Sequence, residues 1–326
     1  MKDGVVIRII FDSSEVTIKN VEGWFREKYF FEPTHIRSKY LTQGNLRKFN
    51  HNRFFENINK ILEDDRFDIT VENEKNDFSL TRGTYTNKIA WLSCRLTPEK
   101  YESNKGKVIE YINTFMKKHK GIAAIMCSLR DYFWQNNENI QYHCAMGKSM
   151  EGVHTKPNPI FPTDTIVDTE FNPGHNHIVN GICFGSCWTM WFGQEFFSYI
   201  PKSILKNYQG CYENKEISEG LIRIMLYENI WAYDEPDNRD RQLQFRKQVG
   251  IDEVAHSYLK QRDRRVIDNP AIEINSGSFE HGGVRLLTYY YDAEEILVAK
   301  SKAVVAKKYE LDEKGKTVWE DVRNLK

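Results

Sequence analysis

The sequence predicts an α+β fold with two mixed, mainly antiparallel sheets packed against helices, and three observations carry that assignment. Short alternating or β-branched segments recur in both halves of the chain. Stretches with apolar residues three and four apart lie between them. Residues 136–169 interrupt the pattern with Pro157, Pro159, Pro162, Gly147 and Gly152, which marks a connector. The expected organisation is therefore an N-terminal α+β subdomain over 1–135, a connector over 136–169 and a C-terminal α+β subdomain over 170–326 with an aromatic-rich strand.

Taken in order, residues 5–11 are a β-branched run suited to a buried strand. Residues 45–65 place Leu46, Phe49, Phe54, Ile58 and Ile61/Leu62 near a helical stripe. Three strand-like segments follow at 67–72, 77–82 and 88–96, separated by turn residues, and these read as an antiparallel meander. Pro98 opens a helix expected to run through His119, with Val108, Tyr111/Ile112 and Phe115/Met116 on one side and Gly121 ending it. Residues 122–130 are the returning strand.

Beyond the connector, 181–192 reads as one strand, with Ile182, Phe184, Trp188, Met190 and Phe192 on one face, followed by a helix from about Pro201. Residues 219–228 alternate as a central strand does, and 237–259 is a polar helical region rich in Arg and Gln. Residues 283–291 and 302–311 are strands, with 312–315 (DEKG) as a hairpin turn before 317–319. No repeat of fixed short period occurs.

Composition narrows the function. Lysine plus arginine equals aspartate plus glutamate at 46 each, so the molecule lacks the basic excess that draws proteins onto nucleic acid or anionic membranes. Nucleic acid is therefore an unexpected partner, and no apolar run reaches the ~20 residues that span a bilayer. The first residues hold Arg8 and Asp12 within their apolar run, unlike a signal-peptide core, and six cysteines in a chain of this length read as reduced thiols. The expected location is the cytoplasm.

One segment concentrates metal-ligand types: 172–201 carries His175 and His177 in a His-x-His pair, with Cys183 and Cys187 four apart. Zinc accepts both ligand types. In a continuous strand, however, Cys183 and Cys187 would stand about 13 Å apart at ~3.3 Å per residue, and alternation would turn His175 and His177 to opposite faces. The expectation is thus no cofactor, with a metal-dependent hydrolase using His175, His177 and a nearby thiol or carboxylate as the alternative, zinc being the metal that His175, His177, Cys183 and Cys187 would hold. A Gly-x-Ser-x-Gly elbow, a phosphate-cradling Gly-x-x-x-x-Gly-Lys loop and a Gly-x-Gly-x-x-Gly turn are all absent.

Two further features bear on binding. Arginines including Arg239 and Arg241 alternate with Asp237, Asp240, Asp252, Glu253 and Asp263, the mixture expected of a solvated, ion-paired helix. Seven aromatics from Phe184 to Tyr199 suit a core, with Trp191 on the off-face as the one suited to a partner surface.

The succession of an Asn-Pro-Gly-His turn (172–175), a Phe-Gly-Ser-Cys-Trp-Thr-Met-Trp-Phe-Gly segment (184–193), an aromatic pair before Ile200-Pro201, a Leu-Ile-Arg-Ile-Met-Leu-Tyr-Glu strand (221–228) and an Asp-Asn-Arg-x-x-Gln-x-x-Phe-Arg helix (237–246) resembles immunity-type proteins of bacterial polymorphic toxin systems. The likeness lies within 172–259. It implies an α+β cytoplasmic protein that neutralises a cognate toxin by stoichiometric binding, without cofactor or catalytic residue. The N-terminal meander and the His/Cys cluster stand outside that picture. The expectation is a non-enzymatic protein-binding chain, with Trp191, His175, His177, Arg239 and Arg241 as partner-binding candidates.

Overall fold

A computed structural model describes residues 3–26, 30–63, 67–83, 88–158, 164–267 and 271–325, with side chains of 260–267 not described; Pro159, Pro162 and the side chains of Arg262, Arg264 and Arg265 fall outside. The fold is α+β. Two compact units form, one of Met1–His154 with Val167–Ala255 and one of Thr155–Ile166 with His256–Lys326.

The larger unit is built on a sheet that runs through both expected subdomains. Its strands are β1 (Val5–Asp12), β2 (His35–Ser38), β3 (Arg47–Lys48), β4 (Phe67–Glu72), β5 (Asp77–Arg82), β6 (Ile89–Leu96) and β7 (Gly121–Ser128). Between these and the next sheet strands lie two small ladders, β8 (Thr155–Pro157) with β9 (Thr165–Val167) and β10 (His177–Val179) with β11 (Ile182–Phe184). β12 (Thr189–Gly193), β13 (Glu213–Ser218) and β14 (Leu221–Met225) complete the sheet. Its ten strands are ordered β13-β14-β12-β7-β1-β6-β5-β4-β2-β3, and every neighbouring pair is antiparallel.

Because β7 pairs with β12, Met126 opposite Thr189, the two halves expected to be separate subdomains share one sheet. Residues 155–166 of the expected connector group with 256–326, and the rest of it groups with the larger unit. Connectors are found by their turn residues, but pairing partners are chosen across space. The meander β4-β5-β6 lies where alternation placed it.

One face of the sheet is packed across its central strands. Phe11 of β1 packs edge-on against Trp24 and Phe115, at 5.3 and 5.1 Å, and Phe25 meets Phe54 and Phe78 at 5.0 and 5.3 Å. Phe11 and Phe78 stand on β1 and β5, and the rings that meet them come from helices Ile18–Arg26, His51–Glu56 and Lys105–Lys118. The helix expected over 45–65 is two short ones after β3, joined at Asn57, and that from Pro98 breaks at Ser103 and Asn104.

The other face is divided. β7, β12 and β14 are buried at every position, whereas β4, β5 and β6 alternate between buried and solvent-touched residues. At the buried end, helix Pro236–Val249 lays Phe245 over Phe192, with ring centroids 6.2 Å apart. At the other end that face carries mainly Ser, Thr, Arg and Asp with Trp91 among them, and antiparallel sheets tolerate a wet face.

The smaller unit carries a four-stranded antiparallel sheet in chain order: β15 (Ile272–Ser276), β16 (Arg285–Tyr291), β17 (Val305–Leu311) and β18 (Thr317–Asn324). The 312–315 turn joins the last two as expected. Asp312 Oδ1 accepts from the Lys314 and Lys316 amides, and Gly315 supplies the left-handed φ of 80°.

Candidate functional site

The 181–192 segment is two strands, β11 and β12, broken at 185–188. The break has a local cause. A Cβ on Gly185 would lie 2.2 Å from Asn176 Oδ1 and 2.6 Å from the His175 carbonyl, so the 172–176 turn is pressed onto this glycine. Ser186 Oγ then donates to the Pro173 carbonyl at 2.5 Å. The continuous-strand spacing of Cys183 and Cys187 therefore does not hold, and Cys187 is near enough to help burial raise the Cys183 thiol.

The histidines are also brought together. His175 and His177 ring centroids are 4.7 Å apart at 89°, because the turn is not an extended strand until His177. His177 is buried, and its Nε2 lies 2.8 Å from Asp252 Oδ1. Arg246, with a side chain 3% exposed, donates from Nε to Asp252 Oδ2 at 3.1 Å and from Nη2 to Oδ1, while its Nη1 donates to the His175 carbonyl at 2.5 Å. Burial works to raise the Asp252 carboxyl, but hydrogen bonds from His177 and Arg246 hold it well below the usual carboxylate range. Its place in the first turn of helix Ile251–Ile267 favours the anion too.

Helix Pro236–Val249 supplies the rest of this network. Arg239, Gln242 and Arg246, at i, i+3 and i+7, lie on one inward stripe, with Gln242 and Arg246 buried and Arg239 partly so. Arg239 Nη2 reaches Asp131 Oδ1 at 2.7 Å and Asp234 Oδ1 at 2.9 Å, and its Nη1 donates to Gln242 Oε1 at 2.9 Å. Gln242 Nε2 donates to the Ser186 carbonyl at 3.3 Å. The helix expected to be solvated thus turns Arg239 inward and leaves Arg241 exposed. Its alternating charges conceal a polar buried face, since arginine on a helix can be ion-paired with its own or with distant carboxylates.

Trp191, expected at a partner surface, is fully buried and donates from Nε1 to Asn113 Oδ1 at 2.8 Å. Its strand is covered on both faces, so the off-face position is an interior one. Phe184, Trp188, Phe192 and Phe196 are likewise buried, with Phe184 and Phe196 stacked at 4.9 Å. Among the described residues, no three His, Cys, Asp or Glu side chains are grouped to hold a metal ion.

The residues that face outward lie elsewhere, on the open half of the sheet. Register places Arg8 opposite Ser93, Ser93 opposite Ser79, Ser79 opposite Thr70 and Thr70 opposite Arg37. Directly opposed residues share a face, so this row crosses β1, β6, β5, β4 and β2. Flanking it are Trp91 with Thr81 on one side and Arg95 with Asp77 on the other. Arg8 is half-buried; its guanidinium carbon lies 4.5 Å from the Tyr132 ring centroid and 5.4 Å from that of Trp91, and Nη1 donates to Tyr132 Oη at 2.5 Å. In the sequence Arg8 stands out only as a charge within an apolar run. A cation inside an otherwise buried strand was the available signal.

Clefts border this surface. The 72–77 hairpin, with Asp3, Arg95, Thr97 and Glu99, lines a cavity of about 670 Å³. None of His175, His177, Cys183, Cys187 or Arg239 lines it. No helix among the described residues is long and apolar enough to cross a membrane.

No family model matches the chain, and no curated protein does. Among solved structures it is similar to the Pseudomonas aeruginosa T6SS protein PA0821, at 9% sequence identity and a TM-score of 0.47, over 76% of this chain and 73% of that one.

Proposed function

We propose that this chain is a non-enzymatic protein-binding protein of the immunity type, which neutralises a cognate toxin by stoichiometric binding through the open half of its large sheet. The observation that supports the reading is the pairing of half-exposed Trp91 and Tyr132 with Arg8, beside exposed Arg37 and Arg95, on a face whose opposite side is packed. Tryptophan, tyrosine and arginine are the residues that concentrate binding energy at interfaces. The His175/His177/Arg246/Asp252 network is engaged in holding the 172–176 turn against the helix, a positioning task that suits a scaffold. The cytoplasmic location and the absence of a cofactor belong to the same proposal.

The test is co-expression with the polypeptide encoded beside this chain, followed by calorimetric titration and a growth assay for toxicity. Rescue of growth, with Trp91→Ala and Arg37→Glu each weakening affinity by about tenfold or more at unchanged thermal stability, is the expected result. Unchanged affinity in the folded double variant refutes the surface. Stoichiometric zinc in purified protein, lost in a His175→Ala/His177→Ala variant, refutes the non-enzymatic reading.

A further inference from the structure

Arg8 is a charged group placed where charge is costly. It sits on β1, an interior strand of the sheet, with Ile7, Ile9 and Ile10 buried around it. Its described partners are the Tyr132 hydroxyl, the Tyr132 and Trp91 rings and the Cys183 thiol, and no carboxylate is among them. Arg239 and Arg246 differ, each meeting carboxylates in the network described above. Burial pushes the Cys183 thiol up to about 11 even with Arg8 beside it, so the thiol does not neutralise the guanidinium. A half-buried cation without a counter-charge is an uncommon arrangement unless something arrives to complete it.

The surroundings suit an anion. Aromatic rings on two sides fix the guanidinium plane and exclude water laterally. The Tyr132 hydroxyl takes one Nη1 hydrogen and the Cys183 thiol is a second partner, which, of the five N–H donors of a guanidinium, leaves others for an oxyanion. Ser93, the next residue along the row on β6, stands about 4.8 Å away at the spacing of adjacent strands, within reach of an oxyanion held by Arg8. Ser79 continues the row with a second half-exposed hydroxyl.

We infer that Arg8, with Tyr132 and Ser93, forms a binding site for an oxyanion, a carboxylate or phosphate group entering from the open face of the sheet. The inference rests on the reading of that face as a docking surface, and names the chemistry of the group that the partner presents there. A planar guanidinium pairs with either oxyanion through two parallel hydrogen bonds, which a spherical halide cannot match.

The experiment uses the full chain labelled with ¹⁵N in its arginine side chains. Acetate, inorganic phosphate and chloride are titrated at constant ionic strength, with the Arg8 Nε–Hε and Trp91 indole resonances as reporters, assigned through Arg8→Gln and Trp91→Phe. The expected result is a saturable millimolar response to acetate, phosphate or both, and none to chloride. A response to acetate alone identifies a carboxylate, and to phosphate alone a phosphate group. Tyr132→Phe, which keeps the ring and the charge, should weaken that response about three- to tenfold. The proposal is overturned if neither oxyanion gives a saturable response, or if the Trp91 response persists in folded Arg8→Gln. Should Arg8→Gln fail to fold, an unchanged affinity in Tyr132→Phe overturns it instead. Failure here leaves partner binding through Trp91 and Arg37 standing, while failure of the co-expression test leaves the anion titration unaffected.

Discussion

Replacing Asp252 by asparagine removes the carboxylate that Arg246 was buried to meet. Arg246 makes three described hydrogen bonds to oxygen, two to Asp252 and one to the His175 carbonyl, from a side chain only 3% exposed. Asparagine keeps one acceptor, so the variant loses one charge-assisted bond, worth roughly 1.5–3 kcal/mol, and leaves a buried cation uncompensated. Breaking a fully buried pair costs about 3–5 kcal/mol. Asp252 is 35% exposed, and solvent screening discounts the figure, to about 2–4 kcal/mol. Arg246→Met on the same background should restore part of the loss, because the stranded charge is gone, giving a non-additive double-mutant cycle of at least about 1 kcal/mol. Urea unfolding followed by tryptophan fluorescence is the assay, since only Trp319 of the seven tryptophans lies in the smaller unit. The pH dependence carries a fixed sign. The folded Asp252 carboxyl lies below its unfolded value of about 3.9, so its contribution is complete above that and is lost as pH falls through the folded value. The gap between wild type and Asp252→Asn should therefore hold at neutral pH and narrow only below about pH 4. A loss under about 0.5 kcal/mol, or strict additivity with Arg246→Met, would refute the buried-pair reasoning.

Gly193→Ala should destabilise by several kcal/mol or prevent folding, because its Cβ would lie 1.8 Å from the backbone oxygen of Gly121 across β7 and β12, where neither strand can yield. Gly106→Ala, in helix Lys105–Lys118 with nothing within 4 Å, should instead gain roughly 0.5–1 kcal/mol; denaturation midpoints compare the two. Trp191→Phe strands the Asn113 amide oxygen in the core and should cost about 1–3 kcal/mol in the same assay. In the smaller unit, burial raises the Glu310 carboxyl but hydrogen bonds from His281 and the amides of Gly283 and His281 hold it below the usual range. The wild type should thus lose its advantage over Glu310→Gln as pH falls below about 4.5, seen in the fluorescence of Trp319, which stacks on His281 at 4.5 Å.

Much of the sheet was legible because strand chemistry is local. The strand-like segments at 67–72, 77–82 and 88–96 correspond to β4, β5 and β6 almost to the residue, while which face they leave wet was not read from them. The site was less legible. Arg239 and Arg241 are indistinguishable by sequence, two residues apart among the same carboxylates, yet one is drawn inward by Asp131 and the other is left in solvent. Trp191 failed as a surface residue because facing away from one core is not facing solvent when a second layer covers the other side.

The chain's residue pattern by itself determined the α+β class, the meander and the closing hairpin, since periodicity and turn chemistry act within a few residues. Only the tertiary structure decided that β7 pairs with β12 across sixty intervening residues, that the 172–176 turn breaks a strand at Gly185, and that half-buried Arg8 meets the Tyr132 hydroxyl and the Tyr132 and Trp91 rings. Those outcomes depend on which surfaces meet. Burial and charge pairing are properties of contacts between distant segments, and no local pattern of side chains encodes them.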